Sequence, residues 1–531
     1  MKIANQKNMR LKSIFSVALL GAIALGTASC AFNCKPADGH YTLELLTTND
    51  VHGSWFDSTY VGGQTKKSLF AVNYYIDSVR TTIGKDHVVL VDAGDCLQGD
   101  NAAYYYNYVD TKTPHLFPRL MDYMDYDAIA VGNHDVEAGH PVYDRVSADL
   151  KKAGIPFLGG NAVRTDNGKA YFPTYTTIRR QGLKIAILGY TNANMKAWLS
   201  EELWSGMDFK SLIPMVQNDV DLVIKKEKPQ VVIVAVHSGT GKGDGSIYES
   251  QGLDLFQTLR GVDFLVCSHD HSPMVAQTDS ICLINSGSHC RNVGKGVISL
   301  DIKDGQVVSK KLEASLIPVK AEKADPVMRA TFQKDYEAVK TFTLKEIGQL
   351  SEDIYTRDSF KGMSNYMNLI HTVSLYNNQA QISFAAPLTF NKKVSAGTLI
   401  YNDLFTIYPF ENQLFVIKMT GKQIVDYMEY SYDQWINSLP NDHLLKISKR
   451  HDKRYGTERW SFDNRSYNFD SAGGLIYTVD VTKPFGERIQ IDSMADGSAF
   501  DIQATYNVAM TSYRANGGGN IIKLGAGIDT S

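Results

Sequence analysis

The sequence predicts an α/β domain followed by a second domain of α+β character. In the first half, short apolar runs rich in β-branched residues alternate with longer stretches of helical spacing. Beyond residue 348 the composition shifts toward Tyr, Asn and Gly, and the predicted strands are scattered. The chain has 531 residues. This is too many for one hydrophobic core, since domains average roughly 100–200 residues.

The composition is that of an ordinary folded protein, with 44% hydrophobic and 21% charged residues. The net charge of -3 gives no field that would gather a nucleic acid polymer, so none is expected as a partner. No feature indicates an obligate protein partner. The basic run KISKRHDKR (446–454) is interpreted as a solvated loop, with a substrate or phosphate-binding role as the alternative.

Residues 1–30 are predicted to be an export signal and not part of the fold. Basic residues precede the apolar run SIFSVALLGAIALGTASC, which is too short for a stable membrane span. The segment Thr27-Ala28-Ser29-Cys30 resembles a bacterial lipobox, with Cys30 as the lipidated residue; plain cleavage is the alternative. Either way we expect the mature protein to work outside the cytoplasm, in the periplasm or at the cell surface. Its membrane contact would be a lipid anchor at Cys30.

The remaining cysteines show no metal or disulfide pattern. There is no CxxC pair and no dense spacing, so neither a zinc knuckle nor a disulfide scaffold is indicated. Buried free thiols are expected, and a single disulfide bridge is the alternative. The residues are Cys34, Cys96, Cys267, Cys282 and Cys290.

The predicted elements of the first domain, residues 41–318, follow in order. Its strands are YTLELLTT, HVVLVDA, DAIAVG, KIAILGY, QVVIVAV, DFLVCS and ICLINSG, and its helices are 66–83, 140–153, 209–227 and 248–260. The run GKGVISLDIKDGQVV (294–308) predicts a closing hairpin that turns at Asp304-Gly305. Residues 319–348 are charged, with helical spacing after Pro326, and predict a helix connecting the domains. The second domain, 349–531, contains two helix-like segments, 363–378 and 420–437.

Polar side chains follow five of the predicted strands at the point where each strand ends. Ligands and catalytic groups in α/β folds gather at the carboxyl ends of strands, so these side chains are expected to share one cleft. In D-x-H and H-x-H segments, an extended backbone would place both donors on the same side. The set comprises Asp50, His52, Asp92, Asp95, Asn133, His134, Asp135, His237, His269, Asp270 and His271.

The chemistry of these donors points to divalent metal ions. Carboxylates, amide oxygens and imidazoles suit hard and borderline cations, and the donors are too many for one ion. Two ions can share a carboxylate and clamp a phosphoryl group. A single His is usually structural, but five after strands, three of them beside acidic residues, are hard to explain by packing. The other eight are expected to be structural or surface residues: His40, His87, His115, His140, His289, His371, His443 and His451.

In their order and separation, NDVHG, DAGD, GNHD, VHSG and SHDH resemble the motifs of calcineurin-type metallophosphoesterases. The resemblance is closest to the exported 5'-nucleotidase family, which includes the 2',3'-cyclic-nucleotide 2'-phosphodiesterase/3'-nucleotidases. It implies a four-layered αββα catalytic domain, a long helix and a C-terminal substrate domain. It also implies two divalent ions, of Zn, Mn, Co or a similar metal. The implied ligands are Asp50, His52, Asp95 and His271 for one ion, and Asp95, Asn133, His237 and His269 for the other, with Asp95 bridging.

The same resemblance gives His134 a catalytic role beside the metals. It would stabilise developing negative charge or protonate the leaving oxygen. The family orients this His with an acid three positions on, usually Asp, where this chain has Glu137. The alternative for Glu137 is a solvated acid in the first turn of a helix. Asp92 and Asp135 are expected to support the site or the fold without binding metal.

Aromatic residues of the second domain are the predicted nucleobase contacts. Bases stack on aromatic faces, and SYNFDSAGG and TSYRANGGG each place aromatics just ahead of glycines that allow tight turns. By resemblance, Phe469 and Tyr513 form the favoured base sandwich, with Tyr467 as the substitute.

The segment 382–391 bears on which phosphoester bond is cleaved. The segment ISFAAPLTFN (382–391) lacks the Arg that 5'-nucleotidases use on the substrate phosphate. Together with YNFD, VDVTKPFGERI and YRANGGG, this favours the 2',3'-cyclic-nucleotide branch. The sequence therefore predicts an enzyme that hydrolyses nucleotides to nucleoside and phosphate, with domain closure about the 320–348 helix. The alternatives are a strict 5'-nucleotidase, a nucleotide-sugar hydrolase, or a non-catalytic nucleotide-binding surface protein.

Overall fold

The computed structural model describes residues 36–410, 412–452 and 457–529. The predicted export signal, with Cys30, and Cys34 lie outside the described residues. Within the described ranges, no helix has the length and apolar character needed to cross a membrane.

The first domain is built on two six-stranded sheets. The first has the order β14-β13-β1-β2-β3-β4, with β1 to β4 parallel. The second has the order β11-β12-β10-β9-β7-β6, with its four inner strands parallel. A short pair, β5 and β8, lies outside both sheets. The strands are β1 Gly39–Thr48, β2 Val88–Asp92, β3 Ala128–Ala130, β4 Phe157–Leu158, β5 Ala162–Arg164, β6 Tyr175–Arg180, β7 Leu183–Tyr190, β8 Met207–Phe209, β9 Val231–Val236, β10 Phe264–Val266, β11 Met274–Gln277, β12 Cys282–Asn285, β13 Asn292–Lys303 and β14 Gln306–Pro318.

The alternation of side chains along the strands produces the layers. Leu43 and Leu45 of β1 pack in the same buried cluster as Ile185 of β7, so the sheets meet face to face there. Leu46 instead joins a cluster with the helices outside the first sheet, and Leu188 joins one outside the second. The predicted αββα order is confirmed. The helices of this domain are α1 Leu69–Ile83, α2 Asn101–Tyr104, α3 Leu116–Met124, α4 Asn133–Glu137, α5 His140–Ala153, α6 Glu201–Trp204, α7 Leu212–Glu227 and α8 Gly252–Thr258.

The predicted connecting helix is two helices, α9 Pro326–Thr331 and α10 Gln333–Thr343, which meet at Phe332. Phe332 is only 3% exposed and packs in the outer core of the first domain. Asp335 of α10 accepts hydrogen bonds from Arg119 of α3 at 2.6 and 3.0 Å. Both helices are therefore anchored to the first domain, and the chain leaves it only after Thr343.

The second domain contains a four-stranded sheet of order β20-β26-β17-β23 and several two-stranded pairs. Its helices include both predicted segments, as α11 Asn365–Tyr376 and α13 Gly421–Asp433. The start of α13 is fixed by a capping box between Thr420 and Gln423. The shorter helices are α12 Tyr401–Ile407, α14 Ser512–Ala515 and α15 Ile521–Leu524. The strands are β15 Glu346–Leu350, β16 Ile354–Tyr355, β17 Ile382–Ala385, β18 Lys393–Val394, β19 Gly397–Ile400, β20 Leu414–Thr420, β21 Ile447–Asp452, β22 Thr457–Phe462, β23 Ser471–Gly473, β24 Leu475–Val479, β25 Ile489–Met494 and β26 Thr505–Thr511.

Candidate metal centre and catalytic site

Two clusters of metal-binding side chains lie where strands of both sheets end. In each cluster the candidate donor atoms lie within 4.8 Å of one another. The donors are carboxylate oxygens and imidazole nitrogens with no thiolate, which fits divalent ions of the hard and borderline classes. The first cluster contains Asp50, His52 and His271, and the second contains Asp95, His237 and His269.

In the first cluster, two imidazole nitrogens and a carboxylate oxygen converge. Nε2 of His52 and Nε2 of His271 lie 2.8 Å apart, and Asp50 Oδ1 lies 3.8 and 3.6 Å from them. A shared cation would use all three lone pairs at once. Asn49 Nδ2 donates to Asp50 Oδ2 at 2.7 Å, and the His269 N–H donates to the same carboxylate. These contacts fix the orientation of Asp50.

The second cluster includes Asn133, as predicted from GNHD. Its Oδ1 lies 3.0 Å from His237 Nε2 and 2.9 Å from His269 Nδ1. Asp95 Oδ2 lies 3.1 Å from His237 Nε2. His237 Nδ1 contacts the Ala93 carbonyl at 2.8 Å, an arrangement in which Nδ1 carries the proton and Nε2 is free to bind a metal. All seven predicted ligands therefore lie in the two clusters. The bridging role of Asp95 stays a prediction.

Burial lowers the pKa of three of these imidazoles, which favours the neutral form that binds a metal. It lowers the pKa of His52 well below the ordinary value, that of His269 to about 3 and that of His271 to about 4. For His237 burial also lowers the pKa, but the nearby Asp95 carboxylate outweighs it and raises the value to about 9. Proton binding at His237 thus competes with metal binding.

The backbone at these residues is not extended, contrary to the expectation from D-x-H and H-x-H. Five predicted ligands have positive φ: Asp50 at 47°, His52 at 47°, Asp95 at 61°, His269 at 70° and His271 at 55°. The left-handed conformation, and not strand alternation, therefore directs these donors: Asp50 and His52 enter the same cluster, while His269 and His271 enter different clusters. Backbone hydrogen bonds from Asp50 to Gly94 and from His52 to Asp95 hold the two ligand loops against each other.

Asp135 supports the loop that carries Asp95. Its carboxylate accepts hydrogen bonds from the backbone N–H groups of Asp95, Cys96, Leu97 and Gly132 at 2.8 to 3.0 Å. Asp92 accepts from Thr48 Oγ1 at 2.6 Å and from the Gly94 N–H at 2.7 Å. Burial raises the pKa of Asp92 to about 7. Both acids therefore stabilise backbone beside the ligands, as expected from the sequence.

His134 is paired with Glu137. His134 Nδ1 lies 2.5 Å from Glu137 Oε2, and Gln98 Nε2 donates to the same oxygen at 2.8 Å. The Glu137 side chain is 11% exposed, so it is not a solvated first-turn acid. Burial lowers the pKa of His134, but Asp95 and Glu137 outweigh it and raise the value to about 10. Glu137 therefore fixes the ring orientation of His134, whose catalytic role stays a prediction.

Two residues beside the metal centre were missed by the sequence analysis. The ring of His289 lies 5.2 Å from that of His52, and the backbone N–H of His289 donates to the Asp50 carbonyl at 2.8 Å. His289 Nδ1 is buried with no hydrogen-bond partner among the described residues. The ring of Trp198 stacks on that of His269 at 5.0 Å. The position of His289 in SGSH, after the strand ICLINSG, was a usable signal; Trp198 gave none.

The predicted base contacts do not all face the cleft. Phe469 is 3% exposed, with its ring packed against Phe360 and Trp435. The prediction that Phe469 stacks on a base is therefore wrong, because neither face of its ring is open. Tyr467 and Tyr513 are partly buried, with their rings edge to face at 6.3 Å.

The two domains contact each other next to the metal centre. Asn101 Nδ2 donates to Asn402 Oδ1 at 3.1 Å, and Ser200 Oγ donates to Gln413 Oε1 at 2.6 Å. A cavity of about 330 Å³ lies between the domains, and its lining includes Tyr60, Lys66, Asp100, Asn402 and Phe405. Burial, with a smaller contribution from Glu249 of the first domain, raises the pKa of Tyr513 to about 12. Tyr513 is thus a neutral phenol close to the first domain.

Comparison with known proteins finds a different family model for each domain of the chain. The family described as 5'-nucleotidase, C-terminal domain matches residues 346–525, and the family described as bacterial capsule synthesis protein PGA_cap matches residues 45–279. The trifunctional nucleotide phosphoesterase protein YfkN of Bacillus subtilis is 24% identical over 91% of this chain, which spans 36% of YfkN. The 2',3'-cyclic-nucleotide 2'-phosphodiesterase/3'-nucleotidase of Yersinia enterocolitica is 23% identical over 90% of this chain and 81% of its own length.

A solved structure shares the whole architecture. The crystal structure of a putative 5'-nucleotidase from Staphylococcus aureus superposes with a TM-score of 0.74 at 20% identity, covering 92% of this chain and 93% of its own. This likeness shows the shared fold. The C-terminal part of the chain therefore matches the 5'-nucleotidase C-terminal domain family, and the chain is a metal-dependent phosphoester hydrolase that is similar along most of its length to 5'-nucleotidases and 2',3'-cyclic-nucleotide 2'-phosphodiesterase/3'-nucleotidases.

Proposed function

We propose that the chain is a dinuclear-metal nucleotide phosphohydrolase that prefers 2',3'-cyclic nucleotides and 3'-nucleotides and releases nucleoside and phosphate. The observation that carries the proposal is the convergence of seven metal-binding donors beside the His134–Glu137 pair. The name of the Yersinia relative, which covers most of both chains, supports the choice of branch.

The metal ions would be Zn, Mn, Co or similar divalent ions. Asp50, His52 and His271 would hold one, and Asp95, Asn133, His237 and His269 the other, with Asp95 shared. When bound, such ions polarise phosphoryl oxygens and lower the pKa of water. The chain itself supplies the fixed orientation of every donor, because Asn49, Ala93 and Asp135 hold the ligands or their loops in place.

His134 would act on the leaving oxygen. Its Nδ1 is engaged by Glu137, so Nε2 is the ring atom left for the substrate. A protonated ring held there can donate a hydrogen bond, and then the proton, to the leaving alkoxide. Glu137 keeps the ring in that orientation and favours the protonated form.

The second domain would supply nucleoside recognition through Tyr467 and Tyr513, since Phe469 is buried. The segment 382–391 contains no Arg for a 5'-phosphate, which supports the cyclic-nucleotide branch over a strict 5'-nucleotidase. A second candidate function is a nucleotide-sugar hydrolase. The interdomain cavity favours it, because polar side chains from both domains line the cavity and could contact the sugar of such a substrate.

We also infer that the protein is exported and is anchored through Cys30 when the lipobox is processed. Metabolic labelling with a radioactive fatty acid tests this. Label should appear in the wild type and be absent from a Cys30→Ser variant; export of an unlabelled wild type would instead support plain cleavage.

Phosphate release from 5'-AMP, 3'-AMP and 2',3'-cyclic AMP tests the proposed activity, the last with added alkaline phosphatase. Metal-stripped protein should be inactive and should recover with Mn²⁺, Zn²⁺ or Co²⁺. Asp95→Ala and His134→Ala should each lower kcat by about 100-fold or more, since a positioned general acid contributes roughly 10²–10⁴-fold. His140→Ala is the control, because the side chain of His140 contacts Asp144, Tyr143 and the Ser205 carbonyl and none of the proposed ligands. Activity on 5'-AMP alone would overturn the assigned branch, and inactivity on all three would overturn the nucleotide substrate.

A further inference from the structure

Arg514 is a deeply buried arginine in the second domain. Its side chain is 3% exposed and pairs with Asp470, which is 2% exposed. The pairing is bidentate, with Nε donating to Oδ2 and Nη2 to Oδ1, both at 2.8 Å. This fork geometry is available to arginine but not to lysine.

The remaining donors of Arg514 join two separate chain segments. Nη2 donates to the Tyr467 carbonyl at 3.0 Å, and Nη1 donates to the Gly518 carbonyl and to Asn468 Oδ1. One guanidinium therefore connects segment 467–470 with segment 513–518. These are the segments that carry Tyr467 and Tyr513.

The pair is itself fixed to helix α13. Tyr427 Oη donates to Asp470 Oδ2, and Ser431 Oγ donates to the Asp470 carbonyl at 2.7 Å. Asp470 and Arg514 thus connect the segments that carry both tyrosines of the candidate nucleoside site to helix α13.

The tyrosine rings depend on the same contacts. The Arg514 guanidinium lies 5.5 Å from the centre of the Tyr513 ring. A Cβ added at Gly518 would come within 2.6 Å of that ring, so Gly518 forms the surface on which it rests. Arg514 holds Gly518 by its carbonyl, and hence controls where the Tyr513 ring lies.

A buried ion pair is weak evidence of stabilisation, because the cost of desolvating two charges offsets most of their attraction. The bidentate, fully satisfied geometry of Arg514 is better explained by the fixed relation it imposes on two loops. We infer that Arg514 is a positioning residue for nucleoside recognition: it sets the distance and angle between Tyr467 and Tyr513. The inference rests on the proposed function, since it takes these tyrosines as nucleoside contacts.

The test compares substrates with and without a nucleoside on the metal-loaded enzyme. Arg514→Lys keeps the charge and loses the fork, and Arg514→Gln loses both. We expect each to raise KM for 2',3'-cyclic AMP and 3'-AMP at least 10-fold. We expect kcat/KM for p-nitrophenyl phosphate, which has no base, to change less than 3-fold. Gly518→Ala crowds the Tyr513 ring without removing the buried pair, and it should also raise the nucleotide KM. This variant tests the inference if the Arg514 variants do not fold.

Arg488→Lys is the matched control. Arg488 is 4% exposed, pairs with Asp433 at 3.2 Å, and contacts Ser438 and the Lys483 carbonyl. It should lower Tm as Arg514→Lys does, with no change in the nucleotide KM. Parallel losses on nucleotides and p-nitrophenyl phosphate, or an unchanged nucleotide KM in folded Arg514 and Gly518 variants, would overturn the inference. The wild type separates this from the proposed function: hydrolysis of p-nitrophenyl phosphate without hydrolysis of any nucleotide would overturn both.

Discussion

The candidate metal ligands of this protein combine reactive side chains with an unfavourable backbone. Five of the seven have φ between 47° and 70°, a region that only a few per cent of residues other than Gly adopt, most often Asn, Asp and His. Each such conformation costs on the order of 1–3 kcal/mol and persists only where the surroundings enforce it. Here the enforcing contacts are the backbone hydrogen bonds between the ligand loops and the four accepted by Asp135. The centre is therefore organised by the chain itself.

Asp135→Asn should weaken metal binding without touching a ligand. The amide keeps the shape of the side chain but replaces one acceptor oxygen with a donor, which faces backbone N–H groups of the Asp95 loop. We expect the affinity for Mn²⁺ to fall about 10–100-fold, the usual effect of losing a group that supports ligands. Calorimetric titration of stripped protein measures it. Asp325→Asn is the control, because Asp325 is also buried and accepts from backbone N–H groups, but caps α9. Equal Mn²⁺ affinity in wild type and Asp135→Asn would refute the role.

His289→Asn should lower kcat/KM about 10-fold. The substitution removes the ring that packs against His52 and keeps a residue that tolerates a φ of 53°. The loss is expected because His52 then has more than one orientation available in the first cluster. His140→Asn is the control, since His140 also contacts aromatic rings but is partly exposed and contacts none of the proposed ligands. A variant with wild-type kcat/KM would show that His289 only fills space.

At the level of elements, the apolar strands and the long periodic helices could be predicted from the sequence, and so could the convergence of donor side chains that follow the strand ends. The local sequence pattern was sufficient for this prediction, because the apolar residues of each strand indicate that it is buried, and the donor side chains follow directly in sequence. The five-residue helix α4 was not predictable, since it has no periodicity of its own and is fixed by contacts such as those of Asp135 with Asp95. His289 and Phe469 were misjudged for the same reason: which ring is beside a metal cluster and which is in a core depends on distant segments.

The turn from β3 into α4 gives a prediction about a single methyl group. A Cβ at Gly132 would lie 2.1 Å from Asp95 Oδ1 and 2.3 Å from its backbone nitrogen, although φ at Gly132 is an ordinary -94°. Gly132→Ala should therefore displace Asp95 and lower kcat/KM at least 100-fold, as misplacing a reacting group by about 1 Å does.

Gly154→Ala is the opposite case and serves as the control for Gly132→Ala. Gly154 has φ 79° at the end of α5, and a Cβ there meets nothing within 4 Å. It should lose about 1 kcal/mol of stability from the left-handed backbone and keep full activity. Thermal unfolding and kinetics on the pair check both statements. A stable, fully active Gly132→Ala would show that the Asp95 loop can move without consequence.

At the scale of the whole molecule, the proposed reaction needs groups from both domains, with metals and His134 on the first and the tyrosines on the second. Helices α9 and α10 are anchored to the first domain through Phe332 and Asp335, so they move with it. A hinge for the proposed domain closure must therefore lie after Thr343 and not within α9 or α10. Leu344 and Lys345 follow directly, before β15 begins at Glu346, and connect the two domains.

A disulfide between the domains tests whether they must separate during turnover. Asn101 and Asn402 face each other across the cleft, with Nδ2 and Oδ1 3.1 Å apart, so the Asn101→Cys/Asn402→Cys variant places two thiols at the contact. Oxidation should lower kcat for nucleotides at least 10-fold, because substrate enters and product leaves through the cleft. A reductant should restore it. The single variants, which cannot form this bridge, should respond to neither treatment. An oxidised, fully crosslinked double variant with undiminished kcat would show that turnover does not require the two domains to separate.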